Sequence, residues 1–328
     1  MVNPKAYLVE NLFEKDIKKV PTRNGYGEGL VVAGERDKNV VVLCADLTES
    51  TRSEYFQKKF PARFVQVGVA EQNMASLAAG MALAGKIPFI SSYATFSPGR
   101  NNEQIRTTIA INNVNVKIAG AHAGISVGPD GATHQALEDM ALMRSLPNMQ
   151  VISPCDSLEA KKATIAAAAI QGPVYLRFAR AGTPLFTKEK TPFDIGKAEV
   201  FWQGKDVTII ACGPLVYEAL LAAFLLKKQG ISAEVINNHT VKPLDAKTIL
   251  ASVKKTGAIV TVEEHQVAGG MGSAVLEMLS QKLPVPVEMI GVQDRFGESG
   301  TPEELLHEFG LTHPFIVKAA KRALKRKR

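Results

Sequence analysis

Short β-branched apolar runs alternate with longer segments of helical period along most of the chain. Residues 40–46 (VVVLCAD), 64–69 (FVQVGV), 88–93 (PFISSY), 116–121 (VKIAGA), 149–154 (MQVISP) and 173–179 (PVYLRFA) read as strands, with helices at 71–85, 134–144 and 157–170. A strand that is apolar along its whole length is buried on both faces, which predicts a mostly parallel sheet covered by helices. Residues 180–206 interrupt the rhythm with two prolines, three glycines and mixed charge. A second unit then offers strands at 206–213, 233–238, 258–264 and 287–292, helices at 215–229, 245–255 and 272–282, and two closing helices. The expected fold class is α/β, with two consecutive domains of mostly parallel sheet. Their expected bounds are 1–188 and 206–328, joined by a linker at 189–205.

Composition fits that outline. The chain has 328 residues, enough for roughly two domains at about 100–200 residues each. It is 46% hydrophobic and 22% charged with few aromatics, which suits tightly packed α/β layers. The net charge of +7 is concentrated in the last eleven residues, KAAKRALKRKR, which hold seven basic residues and no acid. Such a tail can bind nucleic acid or an anionic surface. Its place after a helical pattern favours a solvated helix end, where cations are stabilised, so no nucleic-acid partner is expected. Cys44, Cys155 and Cys212 lie far apart with no C-x-x-C, against a disulfide framework or zinc site. The opening MVNPKAYLVENLFEKD lacks the apolar core of a signal peptide. No apolar run approaches the ~18–20 residues of a membrane span. A soluble, cytoplasmic protein is expected.

Ligands of open parallel sheets bind beyond the carboxyl ends of the strands. Those ends carry Asp46 and Ser50, then Glu71, then Tyr93 and Phe96, then His122, Asp130 and His134 in one glycine-rich loop, and finally Arg180. Each has a plain structural explanation. Glu71 can complement a helix N-terminus, Phe96 can be core, Asp130 in GPDG is usual turn chemistry, His134 can cap a helix, and Arg180 can form a surface ion pair. Their convergence on one crevice argues for chemistry. A metal site is disfavoured, since the two histidines are twelve residues apart with no nearby cysteine. A G-x-S-x-G turn and a P-loop are both missing. The GGMGSA stretch (269–274) suggests an anion cradle only faintly, and tight helix–sheet packing explains its glycines better.

Taken together, VGVAEQNMASLAAGMALAG, SYATF, HAGISVGPDGATHQALEDMALMRSLPNM and PVYLRFAR resemble the pyrimidine-binding domain of transketolases, and the second unit resembles the transketolase C-terminal domain. The resemblance covers nearly the whole chain, and H-x-x-I-x-V-G-x-D-G-x-T-H-Q is a specific pattern. Deoxyxylulose-phosphate synthases and the β subunits of 2-oxoacid dehydrogenases are related. The resemblance implies thiamine diphosphate as cofactor and transfer of a two-carbon ketol unit between phosphorylated sugars, as in the pentose phosphate pathway. It makes Glu71 the carboxyl that hydrogen-bonds the aminopyrimidine ring and starts the cycle. Burial among Val69, Ala70, Met74 and Ala75 would favour the neutral carboxyl that this bond needs. Phe96 matches the aromatic that stacks on that ring, and Asp46 an acid near the cofactor. Arg23, Ser50, His122 and Arg180 match residues holding the sugar phosphate. Asp130 matches a reader of a substrate hydroxyl, and His134 a histidine near the reacting carbonyl. One departure is that Asn101 and Asn102 stand where the family often has a second aromatic, leaving the far wall of the pyrimidine pocket open to question.

The family binds the cofactor diphosphate through Mg²⁺ with a G-D-G motif followed by Asn, and no GDG occurs here. The resemblance therefore implies the C-terminal subunit of a split enzyme, active only with an N-terminal partner that carries that motif. The expected assembly is a homodimer core within a heterotetramer. The other thiamine-enzyme halves named above are the alternative. The set Arg23, Ser50, His122 and Arg180 favours sugar phosphate over lipoyl transfer.

Overall fold

The computed structural model describes residues 1–14 and 16–327. The antiparallel pair β1 (Lys19–Pro21) and β8 (Gly182–Pro184) brackets the first unit. Between them lie β2 (Val40–Cys44), β3 (Phe64–Gln66), β4 (Ile87–Tyr93), β5 (Lys117–Ala121), β6 (Gln150–Ile152) and β7 (Val174–Arg177). These run parallel in the order β6-β7-β5-β4-β2-β3. Strands β2, β5 and β7 are buried at every position, as their unbroken apolar runs require.

The second sheet holds β9 (Glu199–Trp202), β10 (Val207–Ala211), β11 (Ala233–Asn237), β13 (Ile259–Gln266) and β14 (Val287–Val292) in the order β14-β13-β10-β11-β9. All its pairings are parallel except that of β9. The short strand β12 (Thr240–Lys242) pairs antiparallel with β6, so a strand from the second unit forms an edge of the first sheet.

Helices α1 (Thr22–Arg36), α2 (Glu54–Lys59), α3 (Glu71–Leu83), α4 (Asn102–Gln104), α5 (Asp139–Ser145) and α6 (Ser157–Ala169) belong to the first unit. The second has α7 (Leu215–Lys228), α8 (Ala246–Thr256), α9 (Met271–Lys282), α10 (Pro302–Glu308) and α11 (His313–Lys325). On one face of the first sheet, Tyr26, Leu30, Phe56, Ala160 and Ala163 of α1, α2 and α6 pack on Val40, Val42 and Phe89. On the other, Met74, Ala78 and Met140 of α3 and α5 meet Leu43, Ile90 and Ile118, in a cluster that continues into Ile210, Ile236 and Val275 of the second unit.

Several expectations need correction. The stretch 189–205, expected as linker, contributes β9, whose Phe201 and Trp202 are buried. The helix expected at 134–144 begins at Asp139. Residues before it form a turn, a single bridge and a bend, because Ala136 bridges Ala123 in parallel and the Gln135 amide donates to the carbonyls of Ile125 (3.1 Å) and Glu298 (2.9 Å). Helix α1 gives little sequence signal, since TRNGYGEGLVVAGER has four glycines, each costing about 1 kcal/mol of helix propensity. Packing explains them: a Cβ on Gly25 would lie 1.8 Å from the Ser157 carbonyl oxygen. Among the described residues no helix is long and apolar enough to cross a membrane. In the basic tail, Arg322 and Arg326 both pair with Glu288, while Arg328 lies outside the described residues.

A buried ion network joins the two units. Asp139 Oδ2 accepts from Arg177 Nε (2.8 Å) and from the Tyr175 hydroxyl (2.6 Å), and Arg177 Nη2 donates to the Glu264 carbonyl on β13 (2.8 Å). Burial alone would raise the Asp139 carboxyl, but Arg177 holds it below the ordinary carboxylate range. Its folded-state value is thus depressed, so its contribution is present at neutral pH and is lost as acidification protonates it. Asp139→Ala would strand the Arg177 cation. The expected loss is about 3–5 kcal/mol in urea unfolding at neutral pH, with a smaller difference from the parent protein in acid.

Candidate active site

The parallel strands of the first sheet bring their carboxyl ends to one edge, and most of the candidate residues meet there. Arg23, in the first turn of α1, donates through Nη1 to the Ser50 carbonyl (2.7 Å) and reaches His122 Nε2 at 3.4 Å. An arginine can only donate, so Nε2 is the acceptor and the neutral ring carries its proton on Nδ1. Among the described residues that Nδ1 is buried without a hydrogen-bond partner, as is Arg23 Nε. Burial, then Arg23, Arg180 and His134, push His122 down to about 3, so it is neutral at physiological pH.

From His122 a column of flat groups runs across the edge. Tyr93, at the end of β4, stacks on the His122 ring with centroids 3.9 Å apart. Phe96 stacks beyond Tyr93 at 6.0 Å. His134 stands edge-on to Phe96 at 5.6 Å, with Nδ1 2.9 Å from the Thr133 hydroxyl. The Arg100 guanidinium covers Phe96 at 4.5 Å and donates through Nη1 to Glu71 Oε2 at 2.8 Å. Glu71 Oε1 lies 3.5 Å from the Ser92 hydroxyl. On the far side, Arg180 donates to the Val127 carbonyl (2.6 Å) and pairs with Asp130 at 3.4 Å. Among the described residues Asp46 shares no hydrogen bond or ion pair with this set; it lies exposed beyond β2 at φ 59°, its N–H bound by Gln66.

Glu71 is 1% exposed at the first position of α3. Its carboxylate turns to Arg100 and Ser92 and not to the N–H groups of the first helical turn, so helix complementation does not account for it. Its surroundings differ from expectation. Met74 and Ala75 are buried, but Val69 is 72% exposed and contributes no apolar cover, while Arg100 pairs with the carboxylate. Asn101 does not line a wall: its amide donates to the Glu71 carbonyl (3.0 Å) and the Ser97 hydroxyl (3.1 Å), fixing the start of α3 from below. Tyr93 and Arg100 are the residues that sequence reading left without a role. Arg100 had a signal, because a buried carboxylate needs a counter-charge and Arg100 is the first cation after Phe96.

The loop carrying His122 and His134 is held from the second unit. The Glu264 carboxylate on β13 accepts from the Ser126 N–H at 2.6 Å. Gly124, at φ 90°, has no room for a side chain, since a Cβ would lie 2.4 Å from Glu264 Oε1. At GGMGSA, the N–H groups of Met271 and Gly272 donate to Glu263 (2.7 and 2.8 Å), so the protein's own carboxylate fills that helix N-terminus. Among the described residues no group of three or more His, Cys, Asp or Glu is arranged to hold a metal ion.

At the strand ends of this doubly covered parallel sheet a buried Glu, stacked aromatic rings and a cationic cluster lie together. Two family descriptions match: "Transketolase, pyrimidine binding domain" over residues 18–184 and "Transketolase, C-terminal domain" over residues 196–316. The chain is 46% identical over 307 residues to a "Putative transketolase C-terminal section" of Methanocaldococcus jannaschii, covering 93% of this chain and 96% of that one. It is 42% identical over 315 residues to "6-deoxy-6-sulfo-D-fructose transketolase subunit SqwH" of Clostridium sp., covering 96% and 98%. The solved structure "Split gene transketolase, inactive beta4 tetramer" superimposes with a TM-score of 0.89 at 47% identity, covering 94% of this chain and 100% of that one. This chain belongs to the transketolase family, a class of thiamine-diphosphate-dependent transferases, and is of the split-subunit type.

Removing the Glu264 carboxylate leaves the Ser126 N–H buried and unpaired, at about 1–3 kcal/mol. Glu264→Ala is expected to speed amide hydrogen exchange across 122–128 while strands β2 and β4 stay protected. Glu264→Gln, which keeps an acceptor oxygen, is expected to restore most of the protection.

Proposed function

We propose that this chain is the C-terminal, pyrimidine-binding subunit of a heteromeric transketolase that moves a two-carbon ketol unit between phosphorylated sugars. The observation that carries the reading is the column itself. The planar Arg100 guanidinium lies on Phe96 with an N–H aimed at the buried Glu71 carboxylate, and a cluster of Arg23, His122 and Arg180 stands at the other end. A flat nitrogen heterocycle fits the first position and an anion the second. When bound, thiamine diphosphate supplies the nucleophilic carbon and the electron sink for breaking a bond beside a ketone. Glu71 hydrogen-bonds the aminopyrimidine and holds a proton there, and Phe96 supports its face. His134, oriented by Thr133, presents its free nitrogen towards the reacting carbonyl, and Asp130 reads a substrate hydroxyl. Arg180 and Arg23 grip the phosphate, with neutral His122 donating through Nδ1. Ser50 acts through Arg23, which its carbonyl holds. Asp46 takes a place at the exposed edge of the cofactor.

The Mg²⁺–diphosphate half of the site is assigned to an N-terminal partner subunit, since this sequence has no GDG. The structure similar at 47% identity is described as an inactive tetramer of β chains alone, in line with that division. Val69, Leu77 and Leu83 on or next to α3, with Ile111, are exposed apolar residues, which supports a homodimer core around that helix within a heterotetramer. The cationic cluster favours a sugar phosphate over a lipoyl group, and so favours transketolase over a 2-oxoacid dehydrogenase β subunit. As part of this reading we assign the enzyme to the cytoplasm and, by its substrate class, to the pentose phosphate pathway.

Purified alone, with thiamine diphosphate and Mg²⁺, the chain is expected to show no ketol transfer, and mixing with the N-terminal subunit is expected to restore turnover. Full activity of the isolated chain would contradict the split-enzyme reading. Arg180→Ala in the assembled enzyme removes a charge-assisted bond of roughly 1.5–3 kcal/mol, so kcat/KM for phosphorylated sugars should fall about ten- to a hundred-fold. The loss should be much smaller for hydroxypyruvate, which has no phosphate to grip, and equal losses on both substrates would remove the phosphate role.

A further inference from the structure

Arg100 stands where the reading above puts the aminopyrimidine. Its guanidinium carbon lies 4.5 Å over the Phe96 ring, and its Nη1–H points at Glu71 Oε2 at 2.8 Å. A guanidinium is a flat N–C–N unit, and so is the amino-substituted edge of the pyrimidine. Both offer a face to an aromatic ring and an N–H edge to a carboxylate. Two flat groups cannot share one face of Phe96, so the cofactor and Arg100 exclude each other. Arg100 is also free to leave. Its side chain is 47% exposed against 1% for Glu71, and Asn101 fixes the Glu71 backbone independently of it. The turn carrying it, Thr95–Arg100, departs from helical geometry at Ser97.

We infer that Arg100 is an internal stand-in for the aminopyrimidine. It covers Phe96 and pairs with Glu71 while the subsite lacks cofactor, and it swings outward when the heterocycle enters. The inference rests on the thiamine reading of this site and adds a positioning residue to it. Arg100 is the hydrogen-bond partner of Glu71 in the free subunit, and binding energy of the cofactor is partly used to displace it.

The test uses the assembled complex of both subunits with Mg²⁺, and titrates thiamine diphosphate by calorimetry. Breaking the Arg100–Glu71 pair is no longer a cost in Arg100→Ala, so its Kd is expected to be about tenfold lower than that of the parent enzyme. Without cofactor the variant leaves Glu71 buried and unpaired, so its Tm is expected to fall below the parent's, with the gap closing on saturation. Arg100→Lys keeps the charge without the flat face, and is expected to lie between the two in both readouts. It also supplies the comparison if Arg100→Ala assembles poorly. An unchanged or weaker Kd in both variants, with the parent binding normally, overturns the stand-in alone. Failure of the parent complex to bind thiamine diphosphate, or full binding by Glu71→Ala, overturns the thiamine reading and the stand-in with it.

Discussion

The glycine-rich loop from His122 to His134 cannot hold its own shape, and the candidate site depends on what holds it. His122 sits at φ 53°, and Gly124, Gly128 and Gly131 also have positive φ, so the loop has few local preferences to fix it. Bonds within the first unit, such as Arg180 to the Val127 carbonyl and the Ala123–Ala136 bridge, supply part of the restraint, and the second unit supplies the rest. Glu264 takes the Ser126 N–H, and Gln135 bonds the Glu298 carbonyl. The Arg177 side chain, bound to Asp139, takes the Glu264 carbonyl and so locks β13 to the first sheet. The second unit carries none of the candidate site residues. Its part is to make the loop that presents them rigid, which is where preorganisation at a site comes from.

Within that frame the site stores two unmet electrostatic demands. Arg23, Arg180 and His122 crowd together, and the arginines, together with burial, keep His122 neutral. Two buried donors in the cluster, His122 Nδ1 and Arg23 Nε, have no partner among the described residues. An arriving dianion would meet both the positive potential and the free donors without rearranging them. At the other end the demand has the opposite sign. The Glu71 carboxylate is cut off from water and answered by a half-exposed arginine. One end is built for an anion, and the other holds an anion under a removable cation.

Much of the fold could be read from the chain, because a parallel sheet covered on both faces writes itself as continuous apolar runs. Strands β2, β5, β7, β10 and β11 lie inside the runs that predicted them and are fully buried. What could not be read depends on distant partners. Helix α1 is stabilised by the close approach of α6 at Gly25, which no window of α1 contains. Strands β9 and β12 are too short for a pattern and exist because β11 and β6 offer free edges. The start of α5 is delayed by Gln135, whose partner at residue 298 is 163 positions away.

The site was legible in the same measure. Strand-end position and residue type singled out Glu71, Phe96, His122, His134 and Arg180, and the fold does bring them to one edge. Their environments were not legible, because an environment is made by side chains from elsewhere. Glu71 was expected to be neutralised by apolar neighbours; it is instead paired with Arg100, and Val69 faces outward. The two cases differ in kind. An apolar pocket would give the carboxyl one fixed surrounding. A half-exposed cation makes the carboxyl's partner depend on what occupies the face of Phe96. A buried carboxylate that exchanges one hydrogen-bond partner for another is better served by a neighbour that can leave than by a wall that cannot.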